Sequence, residues 1–166
     1  MIWRAFLILS LGLIAPPVFA QTPSVTVPAP RQNVSQLLRQ GRELVRRGDL
    51  AAALELYQQV AELSPDNGAV FAAIGYIHTQ QRDWPAARMA YQRAVALSPK
   101  NADFFNALAL VQAELGEYLD ASGSYHRSLR LNSRQVTAYL GLAATQERMG
   151  NPQASLATLG RGLVLN

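Results

Sequence analysis

The sequence predicts an all-α fold, an α-solenoid of antiparallel helix pairs, and a 34-residue repeat is the main reason. Tyr57, Tyr91 and Tyr125 are spaced by 34 residues, and Pro65 and Pro99 keep the same spacing. A fixed period in this range is typical of stacked supersecondary units rather than of one globular core. Within each unit the apolar residues recur at helical spacing, which favours two helices per repeat.

The first segment, residues 1–20, has the pattern of a secretory signal peptide. Arg4 supplies a positive start, an uncharged apolar run follows, and Val18-Phe19-Ala20 places small or modest residues at the two positions that a signal peptidase reads. We expect cleavage after Ala20 and export, most simply to a bacterial periplasm. The alternative is an uncleaved signal anchor, although the apolar run is shorter than the roughly 20 residues of a membrane span.

The second segment, residues 21–33, is predicted to be a flexible linker. It contains Pro23, Pro28 and Pro30, and Arg31 is its only charged residue. Prolines at this density favour extended backbone and oppose helix.

The remaining segment divides into four repeats, residues 34–67, 68–101, 102–135 and 136–166. In the second repeat Phe71, Ile74 and His78 form one helical face. Asp83 then occupies an N-cap position, and Pro85 lies in the first turn of the next helix, where its missing N–H costs nothing. Each repeat is therefore predicted to be a helix, a short turn and a second helix.

The turns between paired helices carry their own signal. Gly48, Gly116 and Gly150 precede the start of the second helix in three repeats, where a left-handed residue is expected. Arg82 takes this place in the second repeat, which predicts a slightly strained non-glycine residue.

These residues resemble the tetratricopeptide repeat family. The second repeat carries most of the family pattern: Phe71, Ile74, Gly75, Ala87, Tyr91 and Pro99. The resemblance covers everything after the linker, and it implies a right-handed solenoid whose first helices line a concave groove. It also implies that an extended or helical segment of a partner protein binds in that groove.

The candidate binding residues lie beside the core positions of the first helices. They are Arg42, Arg46, Tyr76, Gln80, Asn106, Leu110, Glu114, Leu140 and Arg148. We expect Tyr76 and Leu110 to be apolar anchors and Asn106 to bond the backbone of the partner, since an amide both donates and accepts. Arg42 and Arg46 would attract an acidic end of the partner. The alternative is that each of these side chains belongs to a solvated face and contacts no partner.

A second candidate surface is the last helix, whose apolar strip Leu156, Leu159 and Leu163 has no covering helix in the sequence. Exposed apolar strips favour association, so a homodimer through this helix is one possibility. A frayed last helix is the other.

Composition excludes most catalytic chemistry. The chain has no cysteine, and its two histidines, His78 and His126, lie in different repeats without a carboxylate constellation. We therefore expect no enzyme activity, no metal and no cofactor. The formal charge of +4 raises nucleic-acid binding as an alternative, but no basic stripe with interleaved aromatics is present. A glycan-binding module using Trp84 or the tyrosines is a further alternative.

Together these patterns predict an exported, non-catalytic scaffold or adaptor for protein–protein interaction, with a role in envelope assembly or maintenance. Its partner is expected to be another protein, with neither nucleic acid nor membrane bound once the signal peptide has been removed.

Overall fold

A computed structural model describes residues 33–165, which form eight α-helices and contain no strand. The helices are α1 (Val34–Arg47), α2 (Leu50–Leu63), α3 (Gly68–Gln80), α4 (Trp84–Leu97), α5 (Ala102–Glu114), α6 (Tyr118–Leu131), α7 (Val136–Arg148) and α8 (Pro152–Leu163). Consecutive helices pack against one another along the whole series, and α5 also touches α7. The predicted all-α solenoid of helix pairs is confirmed. The predicted signal peptide, residues 1–20, and all of the predicted linker except Asn33 lie outside the described residues.

Asparagines begin three of the four first helices. The side chains of Asn33, Asn67 and Asn101 accept hydrogen bonds from the backbone N–H groups of the first turn, satisfying donors that have no partner within the helix. These caps recur every 34 residues. Their regular spacing is already visible in the sequence.

The turns inside the helix pairs follow the predicted chemistry. Gly48, Gly116 and Gly150 have φ angles of 83°, 79° and 76°, so each one is left-handed at the end of a first helix. Arg82 adopts the same conformation with φ 58°, the one positive-φ residue other than glycine among the described residues. Asp83 caps α4 by accepting from the N–H of Ala86, as predicted.

The core is a row of small clusters rather than one large centre. The first cluster joins α1, α2 and α3, the second joins α4 and α5, and the third joins α5, α6 and α7. Tyr57, Tyr91 and Tyr125 each belong to one of these clusters and are almost fully buried. Each repeat therefore buries its apolar face only against its immediate neighbours, as in other solenoids.

The glycines of the first helices make room for these tyrosines. An added Cβ at Gly41 would lie 2.7 Å from the ring of Tyr57, and one at Gly75 would lie 2.9 Å from the ring of Tyr91. Tyr125 packs against Gly141 of the following repeat, where an added Cβ would overlap the ring. Its ring therefore lies beside α7.

Polar residues near the ends of the first helices are paired inside the last two repeats. Ser124 donates to the Oε1 of Gln112 at 2.7 Å, and Thr158 donates to the Oε1 of Gln146 at 2.8 Å. Both glutamine side chains therefore have hydrogen-bond partners, as buried or half-buried polar groups require. Among residues 33–165, no helix combines the length and hydropathy that a membrane crossing requires.

Candidate functional site

The nine predicted binding residues lie on α1, α3, α5 and α7, and together they define a surface that we call the first-helix face. The largest apolar side chains on it are well exposed: Tyr76 by 44%, Leu110 by 45% and Leu140 by 54%. Gln80, Glu114 and Arg148 are exposed, and Asn106 is half-buried. Helices normally turn such apolar side chains inward, so this face leaves apolar surface open beside polar groups.

The α1 part of this face carries less free positive charge than the sequence suggests. Arg46 forms an ion pair with Glu43, with the Nη2 to Oε1 distance at 2.7 Å, and Arg47 bonds the same carboxylate at 2.8 Å. These hydrogen bonds lower the pKa of Glu43 to about 2 and raise that of Arg46. Arg42 is exposed and has no ion pair with another described residue, so it is the freer cation.

The buried phenol groups of Tyr57 and Tyr91 lie close to residues of the first-helix face. Burial raises the pKa of Tyr57, and nearby Arg42 lowers it in part. Burial likewise raises the pKa of Tyr91, whose phenol is beside Thr79 and Tyr76. The recurrent tyrosines therefore combine a core role with a polar tip next to the candidate surface.

Asn106 is tied to the next repeat. Its Nδ2 donates to the hydroxyl oxygen of Thr137 at 3.3 Å, which links α5 to α7. Its Oδ1 is buried and has no hydrogen-bond partner among the described residues. The amide that was predicted to bond a partner backbone thus also holds neighbouring repeats together.

Between α5 and α7 the first-helix face deepens into a cavity of about 220 Å³, which we call the α5–α7 pocket. Its walls are Leu110, Ala113, Glu114, Tyr118, Tyr125, Gly141, Ala144, Thr145 and Arg148. Three of the predicted site residues are brought together here: Leu110, Glu114 and Arg148. Tyr118, Tyr125, Gly141 and Thr145 were missed by the sequence analysis.

The polar groups of the α5–α7 pocket differ in their hydrogen bonds and ion pairs. Thr145 donates its hydroxyl to the carbonyl oxygen of Gly141 at 2.7 Å. Glu114 and Arg148 form no ion pair with each other or with any other residue from 33 to 165. Burial, with a smaller effect from the Glu114 carboxylate, raises the pKa of Tyr125 to about 12. The pocket therefore holds a free anion, a free cation and a protonated phenol.

Two further cavities lie away from the α5–α7 pocket. One, of about 610 Å³, is beside α1 and α2 and has Leu44 and Leu56 among its walls, with Arg39 and Glu55 at its polar edge. The other, of about 260 Å³, lies between α7 and α8 and is lined by Val136, Tyr139, Leu140, Leu159, Gly162 and Leu163. The first contains none of the predicted binding residues. The second contains Leu140 and two leucines of the predicted C-terminal strip.

Metal-binding clusters are not found among residues 33–165. No group of three or more His, Asp or Glu side chains there is placed to hold a metal ion. His78 is half-buried, with its Nδ1 atom 3.8 Å from the carboxylate of Asp83, and His126 is exposed on a different helix pair.

Family models agree with this architecture. Two models described as tetratricopeptide repeat match residues 38–102 and 90–121, which together span just over half of the chain. The chain belongs to the tetratricopeptide repeat family. Membership and fold together support a protein-interaction scaffold. None of the curated proteins matches the chain.

Solved structures share the same fold. A crystal structure of MamA has a TM-score of 0.76 and 24% identity, and the alignment covers 80% of this chain and 78% of that one. MamA from Desulfovibrio magneticus RS-1 has a TM-score of 0.75 and 16% identity, covering 81% and 76% of the two chains. At these identities the likeness establishes the tetratricopeptide repeat solenoid alone.

One sequence signal could have led to the missed pocket residues. Gly141 lies in a position that Arg39, Ala73 and Ala107 occupy in the preceding repeats, so the glycine appears only in the fourth. A glycine confined to one repeat marks a place where another group approaches the helix closely. That group is Tyr125, whose own position is fully regular.

Proposed function

We propose that this protein is an exported, non-catalytic adaptor that binds a segment of another protein on its first-helix face. The observation that carries the proposal is the open apolar row of Tyr76, Leu110 and Leu140, which runs over α3, α5 and α7. Aromatic and aliphatic anchors beside polar groups are typical of peptide-binding surfaces. Tyr76 and Leu110 would seat apolar side chains of the partner.

Charge along the face would orient the bound segment. Arg42 lies at the α1 end, Glu114 on α5 and Arg148 on α7, so cationic positions flank an anionic one. Complementary charge contributes more to specificity and to association rate than to affinity. We therefore expect the α1 end to favour acidic residues of the partner.

The placement of the arginines argues against the nucleic-acid alternative. Arg88 is paired with Glu117, while Arg93 and Arg127 stack over the rings of Phe71 and Phe105 at 5.5 and 5.1 Å. Arginines engaged by neighbouring side chains in this way are less available for a continuous phosphate-binding stripe. The glycan alternative loses its best stacking platform, because Trp84 is half-buried against the cluster of Tyr91 and Leu108.

Export and an envelope role are the part of the proposal that rests on residues 1–20. Their charge and hydropathy pattern supports secretion, most simply to a bacterial periplasm. Mass spectrometry of the mature N-terminus tests this, and a chain that begins at Met1 would indicate an uncleaved anchor instead.

The binding test replaces Tyr76 and Leu110 with alanine together and measures capture of partners by in-cell crosslinking and mass spectrometry. A matched control replaces Met89 and Leu119, two apolar residues on α4 and α6 that are even more exposed, by 68% and 78%. We expect loss of the captured partner in the first variant only, with unchanged helical circular dichroism in both. Equal capture by both variants would refute binding on the first-helix face.

The outer surface of α8 supports association with a second copy of the chain as an additional mode. Leu163 is 75% exposed at the edge of the apolar groove between α7 and α8. Sedimentation velocity tests this association. We expect a dimer that Leu163→Glu converts to monomer, and a strict monomer at high concentration would remove the idea.

A further inference from the structure

We propose that the α5–α7 pocket receives a primary amide, the side chain of a glutamine or asparagine in the bound segment. The proposal rests on the proposed function, because it assigns a recognition element to the same first-helix face. The apolar anchors Tyr76, Leu110 and Leu140 do not specify a polar residue of the partner, and the pocket would specify one.

The size of the pocket fits one side chain. Its volume is about 220 Å³, and Leu110, Ala113 and Ala144 supply apolar wall beside the polar groups. The methylene stem of a glutamine can lie on this apolar wall while its head group reaches the polar groups. A larger aromatic side chain would gain from the apolar wall but would leave Glu114 and Arg148 desolvated without partners.

The charges of the pocket select a neutral guest. Glu114 and Arg148 line the same cavity without being paired to each other or to other described residues, so the lining has no net charge. A lysine side chain of the partner would pair with Glu114 but would be repelled by Arg148. A glutamate side chain would pair with Arg148 but would be repelled by Glu114. A primary amide donates to the carboxylate and accepts from the guanidinium, so neither charge is left without a partner.

The phenol of Tyr125 is a third polar group of the pocket. The residue as a whole is 2% exposed and lines the cavity, and its ring lies close to Gly141. Its hydroxyl is not among the fully buried polar atoms that lack a hydrogen-bond partner in the described part of the chain, and it can donate to a group bound in the cavity. The carbonyl oxygen of a bound amide would accept its proton.

Each group in the pocket then has a defined role. Glu114 accepts from the amide NH₂ group, while Arg148 and Tyr125 donate to the amide oxygen. Gly141 matters because a side chain at this position would overlap the Tyr125 ring and close the floor of the pocket.

The test is a selection of random 12-residue peptides displayed on phage against the folded chain, repeated with Glu114→Gln and Arg148→Gln. Both substituted residues are exposed, so we expect the fold to persist, and circular dichroism checks this. We expect the native chain to enrich peptides with glutamine or asparagine at one fixed position. Glu114→Gln leaves a net positive pocket and should shift that position to Asp or Glu, whereas Arg148→Gln should shift it to Lys or Arg. The control Arg130→Gln, on an exposed arginine outside the pocket, should change nothing.

Affinity of a selected glutamine peptide gives a second measurement. Tyr125→Phe removes one hydrogen bond and should weaken binding by about 3–10-fold, while a peptide with leucine in place of glutamine should not respond to the variant. Enriched peptides that show no amide preference, or no change with Glu114→Gln and Arg148→Gln, would overturn the pocket assignment but leave the proposed function standing. Failure to enrich any peptide family would overturn both.

Discussion

Two helical glycines should respond differently to the same substitution. Gly75 lies inside α3, where an alanine Cβ would be 2.9 Å from the Tyr91 ring, against an ordinary contact of 3.4–4 Å. Gly123 lies inside α6, and an added Cβ there meets no atom within 4 Å. Alanine gains about 1 kcal/mol of helix propensity at either place. Overpacking against the ring costs about 1–3 kcal/mol at Gly75 alone.

The measured quantity is the free energy of unfolding from urea titrations followed by far-UV circular dichroism. We expect Gly123→Ala to raise it by about 1 kcal/mol and Gly75→Ala to leave it unchanged or lower it by up to about 2 kcal/mol. Adding Tyr91→Leu to Gly75→Ala should remove the clash, so the two substitutions should be coupled in a double-mutant cycle. Equal stabilisation by both alanines would show that the Gly75–Tyr91 contact is not tight, and the packing argument would fail.

Two other predictions concern buried polar groups. Gln112→Leu leaves the hydroxyl of Ser124 without its 2.7 Å partner and should cost about 1–3 kcal/mol. Adding Ser124→Leu should recover part of the lost stability, because the first repeat has leucine at both equivalent positions. Urea titrations that show no such recovery would contradict the pairing of Gln112 with Ser124. Alkaline titration of tyrosinate absorbance should show a last step near pH 12 that Tyr125→Phe abolishes. This folded-state pKa lies above the ordinary value of about 10. The contribution of the buried Tyr125 to the free energy of unfolding is therefore complete below about pH 10 and is lost as the pH rises toward 12. A native chain whose titration lacks the late step would refute the burial argument.

The fold was predictable because its determinants are local and repeated. The spacing of Tyr57, Tyr91 and Tyr125 fixes the period, and the left-handed glycines at residues 48, 116 and 150 fix the turns. Each such signal depends on residues within one helix pair or on its immediate neighbour. A regular array therefore places its helices correctly even where one repeat departs from the pattern.

The α5–α7 pocket was less predictable, since it depends on one residue that breaks the repeat. Tyr125 has the same sequence position as Tyr57 and Tyr91, and what differs is Gly141 of the following repeat, where the preceding repeats have arginine or alanine. The spacing of the tyrosines alone does not report that difference. Likewise, the pairing of Arg46 with Glu43 depends on rotamers and not on the repeat.

The spacing of the first helices determines how long a partner segment must be to contact the whole first-helix face. Helices in contact, as α5 and α7 are, lie about 8–10 Å apart. Helices α3 and α5 pack less closely than α5 and α7, so passing from Tyr76 on α3 to Arg148 on α7 covers at least roughly 16–20 Å by the same spacing. An extended segment covers this distance with about five or six residues at roughly 3.3 Å each, and a helix needs about twelve at 1.5 Å each. A 12-residue probe is therefore long enough for either conformation, and a six-residue core that retains full affinity would identify the bound segment as extended.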